Sequence, residues 1–182
     1  MNCIMVKPPT HILGMMGCGK TSVGRKLARC INYPLIDTDT YISQTTGKSI
    51  AAIFEERGAE AFRQLEHEAI LTLSQLSQAH VISTGGGLPC YHNNIDIILR
   101  TGYSIYLKAD VPFLYSRLKK NQHLRPLIAG KSKADTFQLL HNMLQERHPV
   151  YSKATFAVKA ISATPAVILQ ILQQDLGWQW DG

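Results

Sequence analysis

Gly14-Met15-Met16-Gly17-Cys18-Gly19-Lys20-Thr21 satisfies the pattern GxxxxGK[ST] at every position. Its surroundings are the ones the pattern needs. The short apolar run Thr10–Leu13 reads as a strand before it, and Val23, Leu27 and Ile31 recur at i, i+4 and i+8 after it, one face of a helix starting near Lys20. Glycines let successive backbone N–H groups converge on phosphate oxygens, and the helix N-terminus adds partial positive charge. Lys20 reaches the β- and γ-phosphates and the Thr21 hydroxyl ligates Mg²⁺. Gly14, Gly17, Cys18, Gly19, Lys20, Thr21 and Ser22 are therefore a candidate nucleoside-triphosphate site. The alternative, a Gly-rich turn that matches by chance, does not account for both the strand and the helix. Cys18 is either a small side chain that keeps the loop tight or a thiol activated at a helix N-terminus.

Outward from the loop, short β-type runs alternate with longer helical patterns, the signature of an α/β chain with a parallel sheet. The remaining candidate strands are Pro34–Ile36, His80–Ser83, Ser104–Leu107 and Thr155–Val158. A helix from about Ser49 carries Ile50, Ile53 and Phe54 and stops at Gly58, and the next shows Phe62, Leu65, Ala69, Leu73 and Leu76. Asp110 and Pro112 open another helix, Asp135 opens one with Phe137, Leu140 and Leu144, and a last helix runs from Pro165 to about Leu176. There is no internal repeat and no linker, so residues 1–182 are expected to form one domain.

Composition narrows the class. The chain has 19 Lys+Arg against 13 Asp+Glu, a formal net charge of +6, and is 45% hydrophobic. The excess calls for an anionic partner without saying which. Its apolar stretches fall far short of the roughly 18–20 residues of a membrane span, and no signal-peptide pattern opens the chain. Cys3, Cys18, Cys30 and Cys90 form no CxxC pair, so free thiols in a reducing, cytoplasmic setting are expected. The scattered histidines offer no zinc spacing. Trp178 and Trp180 read as packing or surface residues.

Three clusters suggest what receives the phosphate. Asp37-Thr38-Asp39 follows the strand Pro34–Ile36, and in an extended segment residues i and i+2 point the same way, toward the crevice at the strand's carboxyl end. A helix cap before Tyr41-Ile42 is the bland alternative. In Phe62-Arg63-Gln64-Leu65-Glu66, Arg63 and Glu66 are i and i+3, so Glu66 can orient the guanidinium, or the two form a surface ion pair. Arg147, three residues past Leu144 and seven past Leu140, falls on the apolar stripe of its helix, where an arginine needs an anion. Two such arginines suit a carboxylate. Ser83-Thr84-Gly85-Gly86-Gly87, after its strand, permits close backbone approach to a ligand, or is a plain loop. Between Arg117 and Ala134 lie Arg117, Lys119, Lys120, Arg125, Lys131 and Lys133 and no acid. Taking these six from the 19 leaves 13 against 13, so this one segment accounts for the whole excess and fits a mobile lid over ATP.

The motifs GMMGCGKT, DTD, FRQLE, STGGG, LRPL and ERHPVY, in that order, resemble those of shikimate kinases, small P-loop kinases of the nucleoside-monophosphate-kinase type. The resemblance implies a three-layer α/β/α fold with a five-stranded parallel sheet, a substrate-binding segment over about 37–66 and a lid over about 117–133. It implies ATP and shikimate as substrates, shikimate 3-phosphate and ADP as products in aromatic amino-acid biosynthesis, and a monomer. Lys20 would hold the β/γ-phosphates, with Thr21 on Mg²⁺ and Asp37 reaching it through water. Asp39 would contact the shikimate hydroxyls and act as base, Arg63 and Arg147 would clamp the carboxylate, and Gly85, Gly86 and Gly87 would press on the ring. Arg125 would close on the phosphates as an arginine finger does, while Arg117 and Pro165 would border the adenine.

Rival readings are less well supported. A gluconate-type kinase carries DGDxxHP at the second strand, whereas Thr40-Tyr41-Ile42 follows Asp39 here. A non-catalytic ATP-binding relative would have lost the lysine or the acid. Nucleic-acid binding calls for aromatics among the basic residues, and the Arg117–Lys133 run has none.

Overall fold

All four residues of the strand before the phosphate loop are buried, as expected at the centre of a parallel sheet covered on both faces. The computed structural model describes residues 8–120 and 127–176. Arg125, Cys3, Trp178 and Trp180 lie outside the described residues. The strands are β1 (Thr10–Leu13), β2 (Leu35–Asp37), β3 (Val81–Ser83), β4 (Tyr103–Lys108) and β5 (Phe156–Lys159). They form one parallel sheet in the order β2-β3-β1-β4-β5. The chain builds one side of β1 first and then crosses to the other, so a crevice opens at the carboxyl end of β1, where open α/β sheets bind ligands.

The helices are α1 (Lys20–Cys30), α2 (Thr38–Thr46), α3 (Ile50–Ser74), α4 (Asn94–Thr101), α5 (Val111–Leu118), α6 (Lys133–Tyr151) and α7 (Pro165–Leu176). Neighbouring residues of β4 show how they form two layers. Ile105 faces Ile168 and Ile171 of α7, while the Tyr106 ring packs 5.2 Å from that of Tyr151 on α6. Side chains alternate across a strand, so α6 and α7 cover opposite faces. The main core runs through both layers, and a smaller cluster of Ile42, Ile53, Phe62 and Ala69 joins α2 to α3. Among the described residues no helix is long and apolar enough to cross a membrane. Cys18, Cys30 and Cys90 are free thiols.

The strands lie within two residues of their expected ends, and the breaks at Gly58 and Pro165 fall where expected. Gly58, at φ +78° and ψ 177°, kinks α3, although a second helical run resumes at once. Three differences have physical causes. The acidic cluster is not an extended segment: Asp37 ends β2 and caps α2, placing Asp39 in a helical first turn. Ser132, not Asp135, caps α6, its hydroxyl accepting from Asp135 N at 3.1 Å. Helix α4 had no clear signature, because its eight residues follow a left-handed Asn93 with no side-chain cap, and Ile95, Ile97 and Ile98 fit a strand equally well.

Candidate active site

The phosphate side is set by backbone geometry. Gly14 and Gly17 hold φ of +138° and +82°. A Cβ at Gly14 would stand 2.9 Å from the Leu107 carbonyl oxygen, and one at Gly17 would stand 2.9 Å from Leu118. The loop is thus gripped between the end of β4 and α5, and only glycine meets both the conformation and the contact. Lys20 Nζ donates to the carbonyls of Gly14 at 2.8 Å and Met15 at 3.0 Å, spanning the mouth of the loop. Thr21 Oγ1 donates to Asp37 Oδ2 at 2.7 Å and lies 3.2 Å from Ser83 Oγ. Cys18 is 1% exposed within the core, which favours its packing role over thiol chemistry. Ser22 is exposed in the first turn of α1, and Pro165 is half-buried as the first residue of α7. Arg117, in the last turn of α5, stands 5.3 Å from the ring centre of Phe113.

The acceptor side converges on the Gly85–Gly87 turn. Gly85 N donates to Thr38 Oγ1 at 2.7 Å, which ties the acidic cluster to the turn. A Cβ at Gly85 would fall 2.7 Å from Asp39 Oδ1 and 2.8 Å from Glu66 Oε1. At Gly87 it would fall 2.5 Å from Arg63 Nη1, and at Gly86 3.6 Å from Arg147 Nη1. Four charged side chains from α2, α3 and α6 therefore meet three consecutive residues without Cβ atoms. Asp37 also accepts from Asp39 N and Thr40 N, at 3.2 and 3.4 Å. It is both the helix cap and the partner of Thr21, so the two readings of the acidic cluster hold together.

Arg63 Nη1 donates to Glu66 Oε2 at 2.5 Å, and the guanidinium lies 4.2 Å from the ring centre of Tyr91. Glu66 is 1% exposed, so this is no surface pair. Burial pushes the Glu66 carboxyl up to about 7, against the downward pull of Arg63. Arg147 is 7% exposed, and its Nε has no hydrogen-bond partner among the described residues. A buried guanidinium with an orphaned donor is costly unless an anion meets it.

Two supporting residues escaped the sequence reading. Tyr151 donates its hydroxyl to the Gly86 carbonyl, and burial raises that hydroxyl far above the usual phenol range. Its spacing of four from Arg147 on the buried stripe was the available signal. Thr38 stood unremarked between the two aspartates, and nothing in its type marked it. Leu144 proves to be half-buried, and the inward stripe of α6 is Leu140, Met143, Arg147 and Tyr151.

Parallel sheet order and phosphate loop together define a P-loop kinase of the nucleoside-monophosphate-kinase type, with charged side chains gathered at the Gly85–Gly87 turn beside the loop. Residues 16–176 match the family model for shikimate kinase. A shikimate kinase of Flavobacterium johnsoniae is 39% identical over 166 residues, covering 88% of this chain and 96% of its own. The crystal structure of shikimate kinase from Bacteroides thetaiotaomicron matches at a TM-score of 0.85 and 32% identity, covering 94% and 99% of the two chains. Shikimate kinase from Acinetobacter baumannii in complex with shikimate matches at 0.82 and 29%, covering 93% and 96%. The chain belongs to the shikimate kinase family, and it is an ATP-dependent kinase.

Proposed function

We propose that this chain transfers the γ-phosphoryl group of ATP to the 3-hydroxyl of shikimate, releasing shikimate 3-phosphate and ADP. One observation carries the reading. The Cβ position of Gly86 lies 3.4 Å from Met16 N of the phosphate loop and 3.6 Å from Arg147 Nη1. A carboxylate held by Arg147 and Arg63 is therefore seated across a single backbone residue from the phosphates. Asp39, exposed at the same turn, takes the proton as the acceptor oxygen bonds to phosphorus and the bond to the ADP oxygen breaks. Glu66 holds Arg63 in place. Positioning and fixed charge supply most of the rate.

Mg²⁺ fits the donor set. The Thr21 hydroxyl, the Asp37 carboxylate through water and the nearby Ser83 hydroxyl are hard oxygen donors of the kind that ion takes alongside phosphate oxygens. When bound, it neutralises charge on the phosphates. Residues of about 37–66 form the acceptor-binding segment in this reading. Arg117 and Pro165 border the adenine, and the basic segment 117–133 serves the phosphates. The assignment of Arg125 rests on sequence alone. In this reading the chain acts as a monomer in the cytoplasm on ATP and shikimate, without a nucleic-acid partner, as its sequence leads one to expect.

The test is a coupled ADP-release assay with Mg-ATP, with and without shikimate. Turnover should depend on shikimate, and a rate no higher than with ATP alone would overturn the proposal.

A further inference from the structure

A cavity lies outside the crevice just described. It measures about 560 Å³ and opens between α5, α6 and the carboxyl ends of β4 and β5, within the usual size of small-molecule clefts. None of its lining residues belongs to the phosphate loop or to the Gly85–Gly87 turn, and Asp39, Arg63 and Arg147 are absent from it.

Its chemistry has two parts. Tyr106, Phe113 and Leu144 give it aromatic and apolar walls, and Ile161, 80% exposed, stands at the rim. Lys108 and Lys159, both exposed, also line it and occupy paired register positions on β4 and β5. Like charges directly opposed across two strands are unfavourable, and neither lysine makes an ion pair among the described residues. Residues 141, 144, 145 and 148 of α6 also line the cavity, at i, i+3, i+4 and i+7. They form a second face of that helix, separate from the buried stripe that carries Arg147, and bring two imidazoles to the wall. His148 Nδ1 lies 3.3 Å from the Tyr106 hydroxyl. The one carboxylate in the lining, Asp110, is engaged by the α5 N-terminus, its Oδ1 accepting from Phe113 N at 2.9 Å. Cationic groups thus outnumber acids beside an aromatic wall, which disfavours a cationic or wholly apolar occupant.

We propose that this cavity is a second binding site, one for a small aromatic acid whose ring lies between Phe113, Tyr106 and Leu144 and whose carboxylate is bracketed by Lys108 and Lys159. The probe is 4-hydroxyphenylacetate, titrated into the full chain by calorimetry and ligand-observed NMR. It should bind more tightly than about 1 mM, with and without saturating shikimate and ADP. Its neutral alcohol analogue should bind at least about tenfold more weakly, as should the acid to the Lys108→Gln/Lys159→Gln double variant, a difference of about 1.4 kcal/mol. Shikimate-dependent ADP release by that variant should stay at the parent rate, which shows that it is folded. The proposal fails if the acid does not bind in this range, if shikimate or ADP displaces it, or if the neutral analogue binds equally well. It also fails if inorganic phosphate alone binds as tightly, or if the double variant is indistinguishable from the parent. All binding arms are independent of catalysis, so they stand apart from the assignment of the reaction.

Discussion

The two halves of the crevice are built in opposite ways. The phosphate side is eight consecutive residues shaped by their own backbone conformation, with one lysine tied to the loop's own carbonyls. The acceptor side has no contiguous motif: Asp39, Arg63, Glu66 and Arg147 come from three helices and meet only because Gly85–Gly87 leaves room for them. A local device is defined by its own conformation, whereas an assembled one depends on the whole fold to bring its charges together. Substitutions on the two sides should therefore separate cleanly by substrate.

Lys20→Met is the harshest test of that separation. Losing the only side-chain cation of the loop should lower kcat by about 10³-fold or more, the scale of removing a preorganised charge from a transition state. The shikimate KM should move little. Steady-state kinetics with each substrate varied checks this, and a loss confined to shikimate binding would break the contrast. Arg147→Met should do the reverse. Shikimate KM should rise by about 10²-fold, the worth of a charge-assisted contact in a buried site, while ATP KM holds. Because Arg147 is buried with an orphaned Nε, the same variant should also unfold a few degrees higher, consistent with relief of about 1 kcal/mol. A variant that loses both acceptor affinity and stability would mean that the protein itself already satisfies the guanidinium.

That contrast also governs what could be read from the chain. The phosphate loop, all five strands and the break at Gly58 were legible because each follows from local periodicity or local backbone demand. Arg63 and Arg147 stood out for a different reason, being charges on apolar faces. Their meeting at Gly86 and Gly87 was not legible, since nothing local encodes a contact between α3, α6 and the turn after β3. Asp39 was assigned to the crevice by the wrong geometry, since strand alternation fails once Asp37 caps a helix. The Lys108–Lys159 pair is invisible until β4 and β5 are in register.

Two buried ionisable groups, one on the acceptor side and one in the sheet, give the comparison a pH axis. Burial holds Glu66 at about 7 against an ordinary 4.5, so the folded state keeps a proton that the unfolded state has released. Stability from this group therefore falls as pH rises from 4.5 through 7. His11 runs the other way. Burial, helped by His80, lowers it from 6.5 to about 3, and both its ring nitrogens lack partners among the described residues. Its contribution is full above 6.5 and is lost as pH falls toward 3. The slopes oppose each other between 4.5 and 6.5, and below 4.5 the histidine dominates. Urea midpoints should be nearly flat across the first window and should fall in the second. Glu66→Gln removes one slope, so the variant should gain stability relative to the parent as pH rises from about 4.5 to about 7, with no further gain above that. Its shikimate KM should rise by about tenfold as Arg63 loses its charged partner. A variant whose advantage does not change with pH would mean that Glu66 is already ionised in the acidic window.

Tyr151→Phe probes the weakest link between the halves. The hydroxyl donates to the carbonyl of Gly86, the residue that stands between Met16 N and Arg147, but it touches neither substrate in the proposed reading. Losing one hydrogen bond of this kind costs about 0.5–1.5 kcal/mol, and the ring, packed on Tyr106, should hold its place. Shikimate KM should then rise by only about two- to tenfold, with kcat and ATP KM within about twofold of the parent. The split matters more than its size. If the turn serves the acceptor alone, loosening it moves one constant. If Gly86 also sets the height of the phosphate loop through Met16, both Michaelis constants rise together. The two sides would then have to be treated as a single mechanical unit.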